Sequence, residues 1–506
     1  MLTMTARVVS ATAYGFDGKL IDIECDITKG LPGFSIVGLG NKAIDEAKER
    51  VRSAIRNSHL DFPAKKLTVN LAPANIPKDG SHFDLPIALA VLVANGEIRQ
   101  HALDDILCAG ELSLNGELRP VRGIISIAET AREHGYKTVI VPAANANQAS
   151  LVKDIHVIGA TTLTDVFLHL LGEKKLAPTH YEPTLSKRAS ENDISDVKGQ
   201  EQAKRALIIA AAGGHNLLLD GPPGAGKTML ARTLVSLLPS PTYDEQIAIT
   251  KLHSLVDETG ESMMSEHPFR SPHHTASHIS LIGGGTKPQP GEVSLAHHGV
   301  LFLDELPEYP RTSLEALRQP LEDRRVHVTR AASRVTYPAN FMLIATKNPC
   351  PCGYYGDSEH ECQCSLPQIL NYQKRISGPL MDRIDMTISV ARVPEKDLLH
   401  THRGEPESPR LRQVIEGVRR VQATRYGKAM TNAELSSKNI AERTLLSDEA
   451  TELLNQATSR LKLSARSYFK LIKVARTIAD LEKSEAIQAS HMAEALQYRK
   501  RDLDPR

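Results

Sequence analysis

The 506-residue sequence predicts an α/β fold over its first two thirds and a helical C-terminal part, and three observations carry that prediction. The apolar run His215-Asn-Leu-Leu-Leu-Asp220 leads into a glycine-rich loop, Gly221 to Thr228, followed by an amphipathic stretch from Met229 to Leu238. A second apolar run, Gly299-Val-Leu-Phe-Leu, ends in Asp304 and Glu305. Beyond Arg410, apolar residues recur at three and four spacing through 446–461, 464–481 and 489–499, which reads as helix.

Taken in order, residues 1–172 alternate expected strands (20–27, 34–37, 66–71, 138–141) with expected helices (41–57, 85–94), giving an α/β domain. Residues 173–193 are charged and proline-containing, with the character of a linker. A nucleotide-binding region is expected over 194–393, a polar connector over 394–409 and a helical domain over 410–506.

The loop chemistry is specific. Gly221, Pro222, Pro223, Gly224, Ala225 and Gly226 form a turn whose backbone can fold around phosphate oxygens, with Lys227 reaching the β and γ phosphates. Thr228 is expected to ligate magnesium, and the following helix offers free N–H groups to the anion. The strand before and helix after the loop separate this reading from a chance glycine turn, so the chain is expected to handle a nucleoside triphosphate with Mg2+. Asp304 is expected to hold the magnesium through water, and Glu305 to polarise the attacking water. Asn348 ends the apolar run from Phe341 and is expected at an adjacent strand tip, orienting that water; its plainer alternative is a turn before Pro349.

A composition of 41% hydrophobic and 24% charged residues excludes a disordered chain, and a formal charge of +1 excludes a global polybasic mode of binding, so a polyanion site has to be a local patch. No apolar run reaches membrane length and the N-terminus lacks a signal-peptide core; a cytoplasmic protein with no membrane partner is expected. Cys350, Cys352, Cys362 and Cys364 fall within fifteen residues, which suits a structural zinc site, the alternatives being free thiols or a redox disulfide. Cys25 and Cys108 read as core residues. His273, His274, His278, His297 and His298 lack helical metal-ligand spacing and read as packing or DNA contact.

These motifs resemble the AAA+ P-loop NTPases, and within them the magnesium-chelatase-like branch. Leu380-Met-Asp-Arg383 lies where that branch carries its arginine finger, and Leu463-Ser-Ala-Arg466 opens a lid helix where it carries a second sensor. The segment from Pro268 through Gly283-Gly-Gly to Gly299 is similar to its helix-two insert. With the N-terminal region included, nearly the whole chain resembles the YifB/ComM family of bacterial Mg-chelatase-like ATPases. The resemblance implies a homo-hexameric ring in which Arg383 reaches the neighbour's nucleotide. It also implies a helical lid, DNA as partner, branch migration of recombination intermediates, and work beside recombination or DNA-uptake proteins. The plainer alternative for Arg383 is an ion pair with Asp382 or Asp385, and for Arg466 a surface charge.

Residues 77–80, 109–120 and 136–142 resemble the proteolytic domain of Lon, a ribosomal S5 domain 2-like fold. The family's serine nucleophile would fall at His82 and its lysine base at Ile127, so the fold is expected without peptidase chemistry; Ser81 is adjacent but has no partner supplied by the pattern. Between the acidic strand and Asn348, the stretch from Arg324 to Tyr337 reads as a β-hairpin carrying Arg324, Arg325, Arg330 and Arg334 with no acid among them. The resemblance faces such a hairpin toward the ring centre, where phosphate contacts can slide along DNA; the plainer alternative is a solvated basic hairpin, or one pairing with Glu322 and Asp323. Two other classes stay open: a chelatase-like remodeller of a protein partner, and a Lon-type protease.

Overall fold

Two principal sheets organise the chain, a mixed one near the N-terminus and a parallel one at the centre. The computed structural model describes residues 5–38, 42–78, 80–180, 192–256, 263–285, 288–330, 333–357, 359–393 and 406–499. Residues 181–191 of the expected linker and 394–405 of the expected connector lie outside these.

The N-terminal sheet runs in the order Gly33–Val37, Lys66–Ala72, Asp17–Thr28, Ala6–Tyr14, Ile106–Cys108, Thr138–Pro142, His156–Ala160. Strand Ala6–Tyr14 was not expected from the sequence. It lies inside the sheet with Ser10 and Thr12 buried, so its hydroxyls obscure the apolar pattern that a buried strand usually shows. Helix Asp84–Ala94 is apolar after its first residue and buried as far as Leu92. Its Asp84 pairs with Arg50 at 2.7 Å and accepts the Leu112 N–H. Burial lifts the Asp84 carboxyl to about 6, with Arg50 working against the rise.

The central sheet is parallel, in the order Phe269–Arg270, Val300–Leu303, Met342–Lys347, Leu217–Asp220, Met386–Ser389. Its three middle strands are almost continuously apolar and buried, as a sheet covered on both faces requires. Asp220 is in register with Lys347 and Leu303 with Ala345. The residues that follow, Gly221, Asn348 and Asp304, therefore emerge together at the carboxyl edge, where ligands bind in open α/β sheets.

The C-terminal helices include Ser408–Tyr426, Asp448–Leu461, Ala465–Leu481 and Ala489–Gln497. They share one apolar cluster with the central sheet, through Ile415, Val474, Ala475 and Ile478 packed with Ala206, Ala210 and Leu217. The N-terminal domain touches the centre through Lys251, which pairs with Glu129 and lies 4.1 Å above the Phe16 ring. Among the described residues, no helix is long and apolar enough to cross a membrane.

Candidate nucleotide and metal sites

The phosphate loop is built by two different uses of glycine. Gly224 and Gly226 have φ of 77° and 80°, the left-handed region, and a Cβ on either would meet nothing within 4 Å, leaving the loop's concave face clear. At Gly221 a Cβ would stand 2.2 Å from the Val390 carbonyl, so the loop's first residue is fixed by packing on the last strand. Helix Lys227–Leu237 begins at Gly226 with no side-chain cap, so its first N–H groups remain available to an anion.

Lys227 Nζ donates to the carbonyls of Gly221 (2.6 Å) and Pro222 (2.8 Å) and to Asn348 Oδ1 (3.0 Å). Burial pulls its pKa down, and the charges of Asp304, Asp220 and Glu305 oppose that fall. Thr228 Oγ1 lies 3.3 Å from Asp304 Oδ2. At that distance a magnesium ion held by Thr228 would lie within reach of Asp304 through a bound water, so this pair fits the ion. The loop Gly221, Pro222, Pro223, Gly224, Ala225, Gly226, Lys227 and Thr228 thus comes together with Asp304, Glu305 and Asn348.

Thr346, one strand over, was not singled out in the sequence. Its hydroxyl donates to Asp304 Oδ1 at 2.6 Å and accepts the Glu305 N–H at 2.8 Å. Glu305 has φ of 53°, a left-handed conformation costing a non-glycine residue about 1–2 kcal/mol. A threonine in an apolar strand carries no sequence signal of such a task, because only strand order brings it beside the acids.

The two arginines lie elsewhere. Arg383 precedes strand Met386–Ser389, and Asp385 accepts the N–H of Asn216 at the start of the phosphate-loop strand, so Arg383 sits at the amino edge of the sheet, opposite the loop. Its guanidinium donates to Arg318 O (2.8 Å), Pro379 O (2.7 Å) and the Glu322 carboxylate. Its acidic partner is Glu322 and not Asp382 or Asp385, the plainer alternative; Asp385 is turned to Asn216 and His215. Arg466, in the first turn of Ala465–Leu481, bonds the same Glu322 at 2.9 Å.

Comparison with known proteins agrees with this architecture. Residues 193–398 match the family described as Magnesium chelatase, subunit ChlI, residues 23–145 match Subunit ChlI of Mg-chelatase, and 405–499 match its C-terminal part. The chain is 45% identical to the competence protein ComM of Haemophilus influenzae, over 98% of this chain and 97% of that one. It is 43% identical to YifB of Escherichia coli K12, over 97% and 96% respectively. The chain belongs to the YifB/ComM family of magnesium-chelatase-like AAA+ ATPases. It is also 29% identical to Lon protease 2 of Bacillus subtilis over 31% of this chain and 30% of that one.

The segment expected as an insert lies before the acidic strand. Here it comprises helix His278–Ile282, a two-residue ladder of Gly283–Gly284 with Gln289–Pro290, and helix Glu292–Leu295. The His273 and His274 rings lie 4.1 Å apart, tilted by 33°, and the buried His297 accepts the Asn340 N–H.

The hairpin pairs Arg325–Arg330 with Ser333–Pro338. Val326, Val328, Val335 and Tyr337 face the core, while Arg325, His327, Thr329 and Arg334 are on the other face, exposed. Arg324 departs from the expectation. It precedes the strand at φ of 55° and pairs with Glu434 of the helical domain, so it is held away from that outer face. The Arg330 side chain and residues 331–332 lie outside the described residues.

The four clustered cysteines converge: their sulfurs all lie within 4.8 Å of one another. Cys350 is 3.3 Å from Cys352 and 3.7 Å from Cys362, and Cys352 is 3.6 Å from Cys362. A tetrahedral zinc thiolate separates its sulfurs by about 3.8 Å, so the set fits zinc closely. Backbone N–H groups of Cys352 and Tyr355 point at Cys364 and Cys350 sulfurs. The loop leans on the phosphate loop, since a Cβ on Gly353 would stand 2.6 Å from Pro223 Cδ. Cys25 and Cys108 are buried in the core.

In the Lon-like domain, Ser81 donates to the Glu111 carboxylate, and His82 and Ile127 are buried. No amine or imidazole bonds Ser81 among the contacts of the described residues.

Proposed function

We propose that this ATPase works as a ring, a homo-hexamer, that drives DNA through its centre and moves branched recombination intermediates. The observation that carries the ring reading is the location of Arg383 and Arg466 at the sheet edge opposite their own phosphate loop, which leaves them suited to a neighbouring protomer's nucleotide. Within one protomer, the loop and Lys227 bind the triphosphate, and Thr228 and Asp304 hold the magnesium, which when bound offsets phosphate charge. Glu305 takes the proton of the attacking water while Asn348 orients that water. Arg383 and Arg466 of the next protomer compensate charge developing on the transferred group.

DNA as the cargo is supported by the exposed face bearing Arg325 and Arg334, with Arg330 on the same hairpin, and by similarity to a protein named for competence. The domain division at 172, 193, 393 and 409, a cytoplasmic location and recombination or DNA-uptake partners belong to the same reading. The four cysteines are read as structural zinc ligands. Against a Lon-type protease stand the engagement of Ser81 by Glu111 and the burial of Ile127, which cannot accept a proton. A chelatase-like remodeller differs in needing a protein partner and no DNA.

One assay separates the three. Purified protein and ATP are incubated with a labelled four-way junction, a fork and casein. Junction movement without casein loss is expected. Casein cleavage would establish the protease, and ATP turnover indifferent to every DNA would favour the remodeller.

A further inference from the structure

Glu322 bonds both Arg383 and Arg466, and these three residues come from separate parts of the chain. Glu322 lies on helix Arg318–Asp323, immediately before the hairpin; Arg383 precedes the last strand of the sheet; Arg466 opens a helix of the C-terminal domain. Together they stand on the wall of a cavity of about 1170 Å³ at the amino edge of the sheet.

The two arginines are held differently. Arg383 is only 12% exposed and has acceptors at Nε, Nη1 and Nη2, whereas Glu322 is 51% exposed and Arg466 45%. Two guanidiniums closing on one carboxylate form a ready-made anion cradle, and the geometry that fits a carboxylate also fits a phosphoryl group. A terminal phosphate carries more charge and more acceptor oxygens than a carboxylate, so it can compete for the same two forks. An incoming phosphate therefore meets Glu322 first.

We propose that Glu322 is an internal stand-in anion: it holds Arg383 and Arg466 together in a lone protomer, and the terminal phosphate of a neighbouring protomer's nucleotide displaces it when that second copy docks at the cavity. The inference rests on the ring reading above and adds a competitor to it. Its consequence is directional. Glu322 sets the nucleotide concentration at which protomers assemble, and removing its charge makes assembly easier rather than harder.

The test measures assembly by mass photometry against ATP concentration in a Glu305→Gln background, where turnover does not consume the ligand. Glu322→Gln is expected to lower the half-assembly ATP concentration by about tenfold, the combined size of two partly exposed ion pairs. Glu322→Asp should restore most of the parent's behaviour, and adding Arg383→Ala should abolish the gain. Unchanged or weakened assembly in Glu322→Gln, with a parental melting temperature, overturns the stand-in role, as does a gain that persists without Arg383. The ring reading fails separately: it falls if Arg383→Ala with Arg466→Ala assembles and hydrolyses ATP like the parent.

Discussion

Thr346 and Asp304 are joined by a 2.6 Å hydrogen bond across neighbouring strands, and the same hydroxyl accepts the Glu305 N–H. One threonine thereby orients the proposed magnesium ligand and secures the left-handed backbone of the proposed base. Thr346→Val keeps the shape and deletes both bonds. Steady-state kinetics should show kcat falling roughly ten- to hundredfold and the magnesium requirement rising, with Thr346→Ser close to the parent. Parental kinetics for Thr346→Val would reduce it to a packing residue.

Glu305→Gln removes the proton acceptor and retains the volume. Nucleotide binding should persist while turnover falls by about a hundredfold or more, the usual size of a general-base contribution. Binding measured with a fluorescent ATP analogue, beside phosphate release, checks both halves; undiminished release would require another base.

On the hairpin, Arg325→Ala with Arg334→Ala takes two cations from the exposed face and leaves Val326, Val328 and Val335 packed. The logarithmic salt dependence of DNA binding should shallow by about 1.8, at 0.9 per phosphate contact, with basal ATPase retained. Fluorescence anisotropy over a salt series reads this directly. An unchanged slope would remove these arginines from the DNA interface.

The cysteine loop predicts a link between metal and nucleotide. Cys352→Ser with Cys364→Ser should lose bound zinc in elemental analysis, and weaken nucleotide affinity, because Gly353 rests against Pro223 of the phosphate loop. Zinc lost without any change in affinity would confine the site to local folding. Protein purified without thiolate-bound metal would refute the zinc assignment.

Acid should destabilise the protein earlier than its carboxylates alone require. Burial holds His82 near 4 and His297 near 3, against an ordinary 6.5, so both stay neutral in the fold while the unfolded chain takes up protons. Their contribution is intact above pH 6.5 and is lost as pH falls, at roughly 1.4 kcal/mol per pH unit for each histidine until their folded values are approached. Urea midpoints at pH 7.5, 6.5 and 5.5 should stay level and then drop, and His82→Gln should flatten the drop. A flat profile down to pH 5 would show these rings to be solvated.

The chemistry next to the phosphates was legible because it is local. The glycines, lysine and hydroxyl of the phosphate loop must stand at fixed offsets to cradle a phosphate, and the two acids close an apolar run that reads as one buried strand. The C-terminal helices were legible because their three and four spacing is the imprint of one buried face. Strand Ala6–Tyr14 escaped because its buried Ser10 and Thr12 look polar, and Arg324 was grouped with the hairpin cations because nothing local names Glu434 as its partner.

By itself the sequence revealed the phosphate-loop motif, the acidic strand end expected beside it, and four cysteines crowded in one loop. Only the tertiary structure decided that Thr346 serves two acids, that the cysteine loop supports Pro223, and that Arg383 and Arg466 meet on Glu322 away from their own nucleotide edge. The reason is geometric. Strand order and the docking of the C-terminal helices join residues dozens to more than a hundred positions apart, and a short-range pattern carries no record of which distant side chain will complete a hydrogen bond.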